Sequence, residues 1–196
     1  MAKIKAALNG TKKDAILKKA AALFRAKGFK ASSMRELAQK NGIEAPSLYN
    51  HIGSKSELLQ DICFKVAKDF NEQLATVEAS TTPVTVKLEK LIRFHIAMMM
   101  ESFDEVYVSN HEWKYLEEPQ LSAFLQQRKQ YETSMVQLLN EGITNKEFKN
   151  MHPQVAVLTI LSAVRGLEFW QRYKKEIDAE VLASNMVNHL LNGLRK

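Results

Sequence analysis

The sequence has few of the residues that interrupt or cross-link a chain: one cysteine, four prolines and seven glycines in 196 residues. The lone cysteine, Cys63, cannot form an internal disulfide, which fits a reducing compartment. No apolar run approaches the roughly 18 residues of a membrane span, and the N-terminus has no apolar stretch of signal-peptide length. These absences predict a cytoplasmic chain that does not enter a membrane.

Residue patterns of common catalytic sites are also missing. The sequence has no Glu-x-x-His pair, no paired cysteines, no glycine-rich phosphate loop and no Gly-x-Ser-x-Gly motif. We therefore expect that the chain is not an enzyme and requires neither a metal nor a cofactor.

Positive charge is concentrated in the first quarter of the chain. The net charge is +6, but residues 1–55 hold twelve Lys or Arg against three Asp or Glu, an excess of nine. The remaining residues hold sixteen against nineteen and are net negative by three. Such a local excess is typical of a phosphate-binding surface, although a solvated basic face gives the same pattern until a docking element is found.

Apolar residues recur at helical spacing throughout, so the sequence predicts an all-α fold. Capping boxes, in which Ser or Thr precedes an acidic residue by three positions, mark helix starts at Thr11, Ser33 and Ser54. The predicted helices span residues 11–27, 33–40, 45–51, 54–76, 84–103, 105–117, 119–142, 153–174 and 178–194. We divide the chain into a basic three-helix head, residues 1–53, and a larger helical domain, residues 54–196.

The third predicted helix is only about two turns long. It follows the second helix after a turn of about four residues that contains Gly42, which is the helix-turn-helix pattern. In that motif the second helix lies in the DNA major groove, and only a few exposed residues need to reach the bases. We expect Leu48 to face the interior and leave Ser47, Tyr49, Asn50 and His51 exposed.

The residues from Thr11 to Leu59 resemble the DNA-binding domain of TetR-family transcriptional regulators. The resemblance is carried by the runs MRELA (34–38), GI (42–43), SLYNHI (47–52) and SKSELL (54–59). It implies a homodimer that presents two short recognition helices to a pseudo-palindromic operator in double-stranded DNA.

The resemblance also implies a role for individual residues. Ser33, Tyr49, His51 and Lys55 are expected on the DNA backbone, where hydroxyls, helix N-termini and ammonium groups bind phosphate. Ser47 and Asn50 are the base-reading candidates, since an Asn side chain can form two hydrogen bonds with adenine.

Three positions depart from the family pattern. Glu44 stands where Ser or Thr is frequent, and Pro46 where a small or flexible residue is frequent. Glu44 either accepts a hydrogen bond from a cytosine amino group or only caps the helix. Gly53, in place of a basic or polar residue, removes one possible phosphate contact.

In TetR-type regulators the C-terminal domain binds a small molecule between its helices. Candidate ligand-binding residues here are aromatic, sulfur-containing or cationic: Phe94, Met98, Phe103, Trp113, Arg128, Tyr131 and Trp170. Core packing explains the same apolar residues, and surface ion pairs explain the same arginine. His95 falls on an apolar stripe, which favours a hydrogen-bonded core histidine over a ligand contact.

The segment LEEP (116–119), followed by Arg128 and Tyr131-Glu132, is similar to the TetR-type regulators of fatty-acid and acyl-CoA metabolism. This similarity ranks acyl-CoA or another lipid-like compound first among effectors. An arginine at the mouth of an apolar pocket suits a phosphorylated head group.

Faces of the last two predicted helices are candidates for the dimer interface, or else for burial within the monomer. They comprise Val155, Leu158, Thr159, Leu161, Ser162 and Gly166, and Val181, Leu182, Met186, His189 and Leu190. The function expected is ligand-responsive repression by a DNA-bound homodimer. The alternative is an architectural or cell-division DNA-binding protein of the same fold without a small-molecule ligand.

Overall fold

A computed structural model describes residues 12–49, 52–170 and 177–194 of the chain. All regular elements of these residues are helical, which confirms the predicted all-α fold. The helices are α1 (Lys12–Lys27), α2 (Met34–Asn41), α3 (Ala45–Tyr49), α4 (Lys55–Glu78), α5 (Val84–Glu101), α6 (Phe103–His111), α7 (Gln120–Thr144), α8 (Pro153–Arg165), α9 (Leu167–Trp170) and α10 (Ala179–Asn192), with a 3₁₀ turn at Trp113–Tyr115. None of them combines the length and the hydropathy that crossing a membrane requires.

The described residues divide into two compact units. The first contains the residues up to Val66 together with Asp104–Phe124, and the second contains Ala67–Phe103 and the residues from Leu125 onward. Helix α4 supplies residues to both. The predicted boundary between residues 53 and 54 stays a prediction, because a packing unit does not define a segment that folds alone.

In the first unit, α1 buries the apolar side of an amphipathic helix. Ile16, Ala20, Leu23 and Phe24 are buried, while the lysines of the same helix are exposed. The helix ends at Gly28, whose φ of +82° is a left-handed conformation that residues with a Cβ rarely adopt.

Helix α2 begins and ends as its sequence predicts. Ser33 and Glu36 form a complete capping box at its start. At its end Gly42 has a φ of +67°, and its N–H donates to the last carbonyls of the helix. These two signals fix the length of α2 at eight residues and set the turn that leads into α3.

The start of α4 is capped in a related way. The backbone N–H of Glu57 donates to Ser54 Oγ at 3.0 Å, and the Glu57 carboxylate accepts the N–H of Gly53 at 2.9 Å. The carboxylate therefore binds one residue earlier than in a standard capping box. The signal predicted at Thr11 lies outside the described residues.

In the second unit, α5 packs against α8, α9 and α10. Leu88, Leu91 and Ile92 of α5 are fully buried. Pro83 provides no side-chain cap for α5, and the carboxylate of Glu147 takes that role, accepting the N–H groups of Val84 and Thr85 at 3.1 and 2.8 Å. Although burial opposes it, hydrogen bonding to Thr85 and Val84 lowers the pKa of Glu147.

Two predicted helices are interrupted in the structure. The helix predicted over 105–117 ends at His111 and is followed by the 3₁₀ turn. The helix predicted over 153–174 is divided at Gly166: α8 ends at Arg165, and α9 begins at Leu167. Glycine is among the weakest helix formers, which accounts for the second interruption.

Candidate nucleic-acid interface

Helix α3 is anchored by one side chain. Leu48 has no solvent exposure, and its backbone N–H donates to the carbonyl of Glu44 at 3.2 Å. The N–H of buried Ile52 donates in turn to the Leu48 carbonyl at 3.1 Å. Since α3 also packs against α2, its five residues have a fixed orientation despite their small number.

The remaining described residues of α3 form an exposed edge. Tyr49 is 52% exposed, so its ring and hydroxyl are accessible to a partner surface. Pro46 and, just before the helix, Glu44 are exposed as well, and Ser47 is half-buried. Asn50 and His51 lie outside the described residues. The base or phosphate roles of all six residues remain predictions.

At the N-terminus of α2, the predicted phosphate ligand Ser33 is exposed but engaged. Its hydroxyl and its backbone N–H both lie 3.1 Å from Glu36 Oε2. Glu36 also pairs with Lys27, and the hydrogen bonds from Lys27 and Ser33 hold its pKa below the ordinary value of a glutamate. A phosphate at this position would therefore share the helix N-terminus with a carboxylate.

Lys55, another predicted phosphate ligand, is held inside the first unit. Its Nζ donates to the carbonyl oxygens of Phe29, Lys30 and Ser32 at 2.9, 3.3 and 2.9 Å. It also lies 4.5 Å from the centre of the Phe29 ring. The phosphate role predicted for Lys55 remains a prediction, with these carbonyls as its present partners.

No cation of α2 itself was predicted to contact DNA. Arg35 and Lys40 are exposed on this helix, which packs against α3, so they join the candidate DNA-binding residues. The charge excess of residues 1–55 was the signal that could have identified them. Lys13 of α1 is less available, because its Nζ lies 2.7 Å from the Asp61 carboxylate, which raises its pKa.

In the second unit, two predicted ligand-binding residues, Phe94 and Tyr131, pack against Phe70, for which no role was predicted. Phe70 packs edge-on against Phe94 and Tyr131, with ring centres 5.4 and 6.0 Å apart, and lies 4.5 Å from the His95 ring. His95 is buried and hydrogen-bonded, as predicted: its Nε2 lies 2.8 Å from the Tyr131 hydroxyl.

The chemical state of this pair is set by its surroundings. Burial, helped by the charge of Arg165, lowers the pKa of His95 to about 3, and burial raises the pKa of Tyr131. Both groups are therefore neutral at physiological pH and offer uncharged hydrogen-bonding atoms.

Trp170, another predicted ligand-binding residue, also has a buried polar atom. Its Nε1 is buried and has no hydrogen-bond partner in the described part of the chain. An indole N–H is a donor only, and a buried donor without an acceptor is costly, so this atom is suited to an acceptor on a bound molecule.

The other ligand-binding candidates are divided between the two units. Met98, Phe103 and Arg128 are half-buried in the second unit, whereas Trp113 belongs to the first unit, where it is also half-buried. Within the described ranges, no group of histidine, cysteine and carboxylate side chains is arranged to hold a metal ion.

Two family models match the chain. Residues 16–62 match the model described as bacterial regulatory proteins, tetR family, and residues 81–194 match the tetracyclin repressor-like C-terminal domain. The first model covers most of α1 and the whole of α2 and α3, and the second covers Phe94, His95 and Tyr131 of the aromatic cluster but not Phe70.

Similar proteins include transcriptional repressors. The chain is 25% identical over 201 residues to the HTH-type transcriptional repressor KstR2 of Mycolicibacterium smegmatis, covering 94% of this chain and 91% of that protein. With KstR2 of Mycobacterium tuberculosis strain H37Rv it shares 23% identity, covering 95% and 94% of the two chains.

Solved structures show the same fold. The ketosteroid transcriptional regulator KstR2 of Mycobacterium tuberculosis matches with a TM-score of 0.88 at 22% identity, covering 95% of this chain and 96% of that one. AibR in complex with isovaleryl coenzyme A and operator DNA matches with a TM-score of 0.80 at 24% identity, covering 92% and 98%. The chain belongs to the tetR family of bacterial regulatory proteins, which are DNA-binding transcriptional regulators.

Proposed function

We propose that this chain is a cytoplasmic, ligand-responsive repressor that binds a palindromic operator as a homodimer and is released by a small, largely apolar effector. The observation that carries the proposal is the arrangement of α3, a short helix described from Ala45 to Tyr49, in which Leu48 is buried and Tyr49 is exposed. A helix this short contributes little to a core, but it is long enough to place a few side chains in a major groove.

The proposed interface combines base and backbone contacts. Ser47 and Asn50 are proposed to contact base edges, and Tyr49, His51 and the α2 N-terminus at Ser33 are proposed to contact phosphates. Glu44 and Pro46 are proposed to contribute at the start of α3, where Glu44 either contacts a base or caps the helix. The excess of nine positive charges in residues 1–55 supplies the sequence-independent part of the affinity.

Exposed apolar side chains support the homodimer. On α8, Val155 and Leu158 are 57% and 64% exposed, and on α10 Val181 is 53% exposed. All three belong to the faces predicted for dimerisation, and branched apolar side chains exposed to this degree are typical of an interface between subunits.

The aromatic cluster of the second unit supports an apolar effector with a neutral polar group. Phe70, Phe94 and Tyr131 provide apolar surface, and the same unit contains the buried Trp170 indole N–H, a donor that has no partner among the described residues. AibR has been solved with isovaleryl coenzyme A, so an acyl-CoA ester is the first effector class to test. To act as an inducer, the effector must bind the DNA-free state more tightly than the DNA-bound state.

The first experiment is selection of duplexes from a random-sequence DNA library by the full-length protein. We expect enrichment of one palindromic motif, and Tyr49→Ala should weaken its binding. Lys19→Met, which removes an exposed cation of α1 in the same unit, measures how much affinity the loss of one positive charge costs. Genome-wide occupancy is measured separately, and dozens of dispersed, unrelated chromosomal sites would favour the architectural alternative. No enrichment from the library would contradict the operator proposal.

The effector is tested separately. Native mass spectrometry of protein purified from its own host is expected to show a retained small molecule. A series of acyl-CoA esters should release the selected duplex, and the corresponding free fatty acids serve as the control. Trp170→Phe should weaken release without changing affinity for DNA; unchanged release would remove Trp170 from the site.

A further inference from the structure

The turn between α1 and α2, residues 28–32, has backbone groups that neither helix satisfies. Gly28 ends α1, and its carbonyl accepts the Ser32 hydroxyl at 2.8 Å. The Ser32 N–H makes a long hydrogen bond, 3.3 Å, to the carbonyl of Phe29. Ser33, the capping residue of α2, follows immediately, so the position of this turn sets the position of the α2 N-terminus.

Lys55 binds this turn with its whole ammonium group. The group has three N–H donors, and three carbonyls of the turn lie within 3.3 Å of its nitrogen. The contact spans 26 residues of sequence, from the start of α4 back to Phe29. A phosphate ligand at Lys55 would have to displace at least one of these carbonyls.

Glu112 binds a backbone N–H group of the same turn. The N–H of Phe29 donates to Glu112 Oε2 at 2.9 Å. The Phe29 ring stacks on Tyr115, with ring centres 5.7 Å apart, and the Lys30 ammonium lies 5.0 Å from the Tyr115 ring. Lys55 therefore binds the carbonyls of the turn, Glu112 binds the N–H of Phe29, and Tyr115 stacks on the Phe29 ring. All three residues belong to the first unit.

We propose that Lys55 and Glu112 are positioning residues for DNA binding. They hold the 28–32 turn, and the turn holds Ser33 and the start of α2, against which α3 packs. The proposal rests on the proposed function, in which α2 and α3 face DNA. It gives Lys55 a role through the turn, in contrast to the direct phosphate contact that the family resemblance implies.

Replacing Glu112 tests the proposal, because a charge effect would raise the affinity for DNA and a positioning effect would lower it. Removing a carboxylate from the unit that contains α2 and α3 reduces repulsion of the phosphates and should raise affinity if charge alone acts. If Glu112 positions the turn, Glu112→Ala should instead lower affinity for the selected duplex, by about tenfold for the loss of one charge-assisted hydrogen bond. Glu112→Gln keeps an acceptor for the Phe29 N–H and should restore most of the affinity.

For Lys55 the discriminating variable is salt. A phosphate contact contributes about 0.9 to the slope of log affinity against log salt concentration. We expect Lys55→Met to lower affinity while leaving that slope at the wild-type value. A slope reduced by about 0.9, with the turn unaltered, would overturn the proposal for Lys55 in favour of the phosphate contact.

Hydrogen exchange of the DNA-free protein tests the hold on the turn directly. In Lys55→Met and in Glu112→Ala, amides of residues 29–37 should exchange about tenfold faster, with the buried core of α1 still protected. Lys19→Met should exchange like wild type. Unchanged exchange in both test variants would overturn the proposal whatever the DNA results, whereas failure to select any duplex would refute the proposed function alone.

Discussion

At the scale of single residues, the buried His95–Tyr131 pair shows how environment fixes a chemical state. The His95 imidazole and the Tyr131 hydroxyl share a hydrogen bond of 2.8 Å beside the ring of Phe70. Burial disfavours the charged form of both groups, and the charge of Arg165 further disfavours protonated histidine. Both groups are therefore uncharged in the folded protein, and each can still form a hydrogen bond.

This state predicts a specific dependence of stability on pH. The pKa of His95 is lowered from 6.5 to about 3, so between these values the unfolded chain binds a proton that the folded chain does not. The free energy of unfolding must then fall as the pH falls below about 6.5, by about 2 kcal/mol at pH 5. In His95→Gln, which can hydrogen-bond but cannot titrate, this component should be absent. Chemical denaturation of both proteins from pH 5 to 8 measures it, and parallel profiles would contradict the assignment.

Single-residue roles were predictable where the local pattern determines them. Leu48 was expected inside and is fully buried, because helical periodicity assigns it to the inner side of α3. The partners of Lys55 were not predictable, since three backbone carbonyls 23 to 26 residues away meet it only after folding. Phe70 was missed for a similar reason: its ring contacts come from α5 and α7.

At the scale of elements, the ends of helices follow their capping residues. Ser33 with Glu36 and the left-handed Gly42 bound α2 as predicted. The prediction fails after His111, where a 3₁₀ turn replaces helix and the Tyr115 ring stacks on Phe29. That interruption depends on a partner far away in sequence, which local propensity does not contain.

One glycine is required by packing at the end of α7. A Cβ on Gly142 would lie 2.4 Å from the buried ring of Phe148 and 3.1 Å from Val84. Alanine normally stabilises a helix relative to glycine, by about 1 kcal/mol. Here we expect Gly142→Ala to lower the free energy of unfolding by about 1–3 kcal/mol, because the ring must shift within a filled core.

The matched control is Gly193, just beyond α10. A Cβ there would meet only ordinary contacts at 3.5 Å. Gly193→Ala should therefore leave the denaturation midpoint unchanged or raise it slightly. A stabilised Gly142→Ala would show that the Phe148 contact yields easily and would refute the packing argument.

At the scale of the whole molecule, the proposed dimer accounts for apolar side chains that the described chain leaves in solvent. Val155, Leu158 and Val181 are each more than half exposed. A repressor that binds a palindrome needs two DNA-binding heads. In the proposed dimer, these residues of the second unit join the two subunits that supply them.

A charge in this face should separate the subunits. We expect the wild type to have twice the chain mass of 22.3 kDa at micromolar concentration, and Leu158→Glu to have 22.3 kDa with unchanged helix content. The control Leu125→Glu places the same charge at an exposed leucine of a different helix, α7, and should remain dimeric. Size-exclusion chromatography with light scattering measures the masses, and a monomeric wild type would contradict the proposed operator geometry.

The most direct test of the central claim is a hydroxyl-radical footprint of the wild-type protein on the selected duplex. Two helices α3 in successive major grooves predict two protected patches whose centres lie one helical turn, roughly 34–36 Å, or a multiple of it apart. Tyr49→Ala should weaken both patches equally. A single protected patch, protection without sequence preference, or a pattern unaffected by Tyr49→Ala would contradict the account.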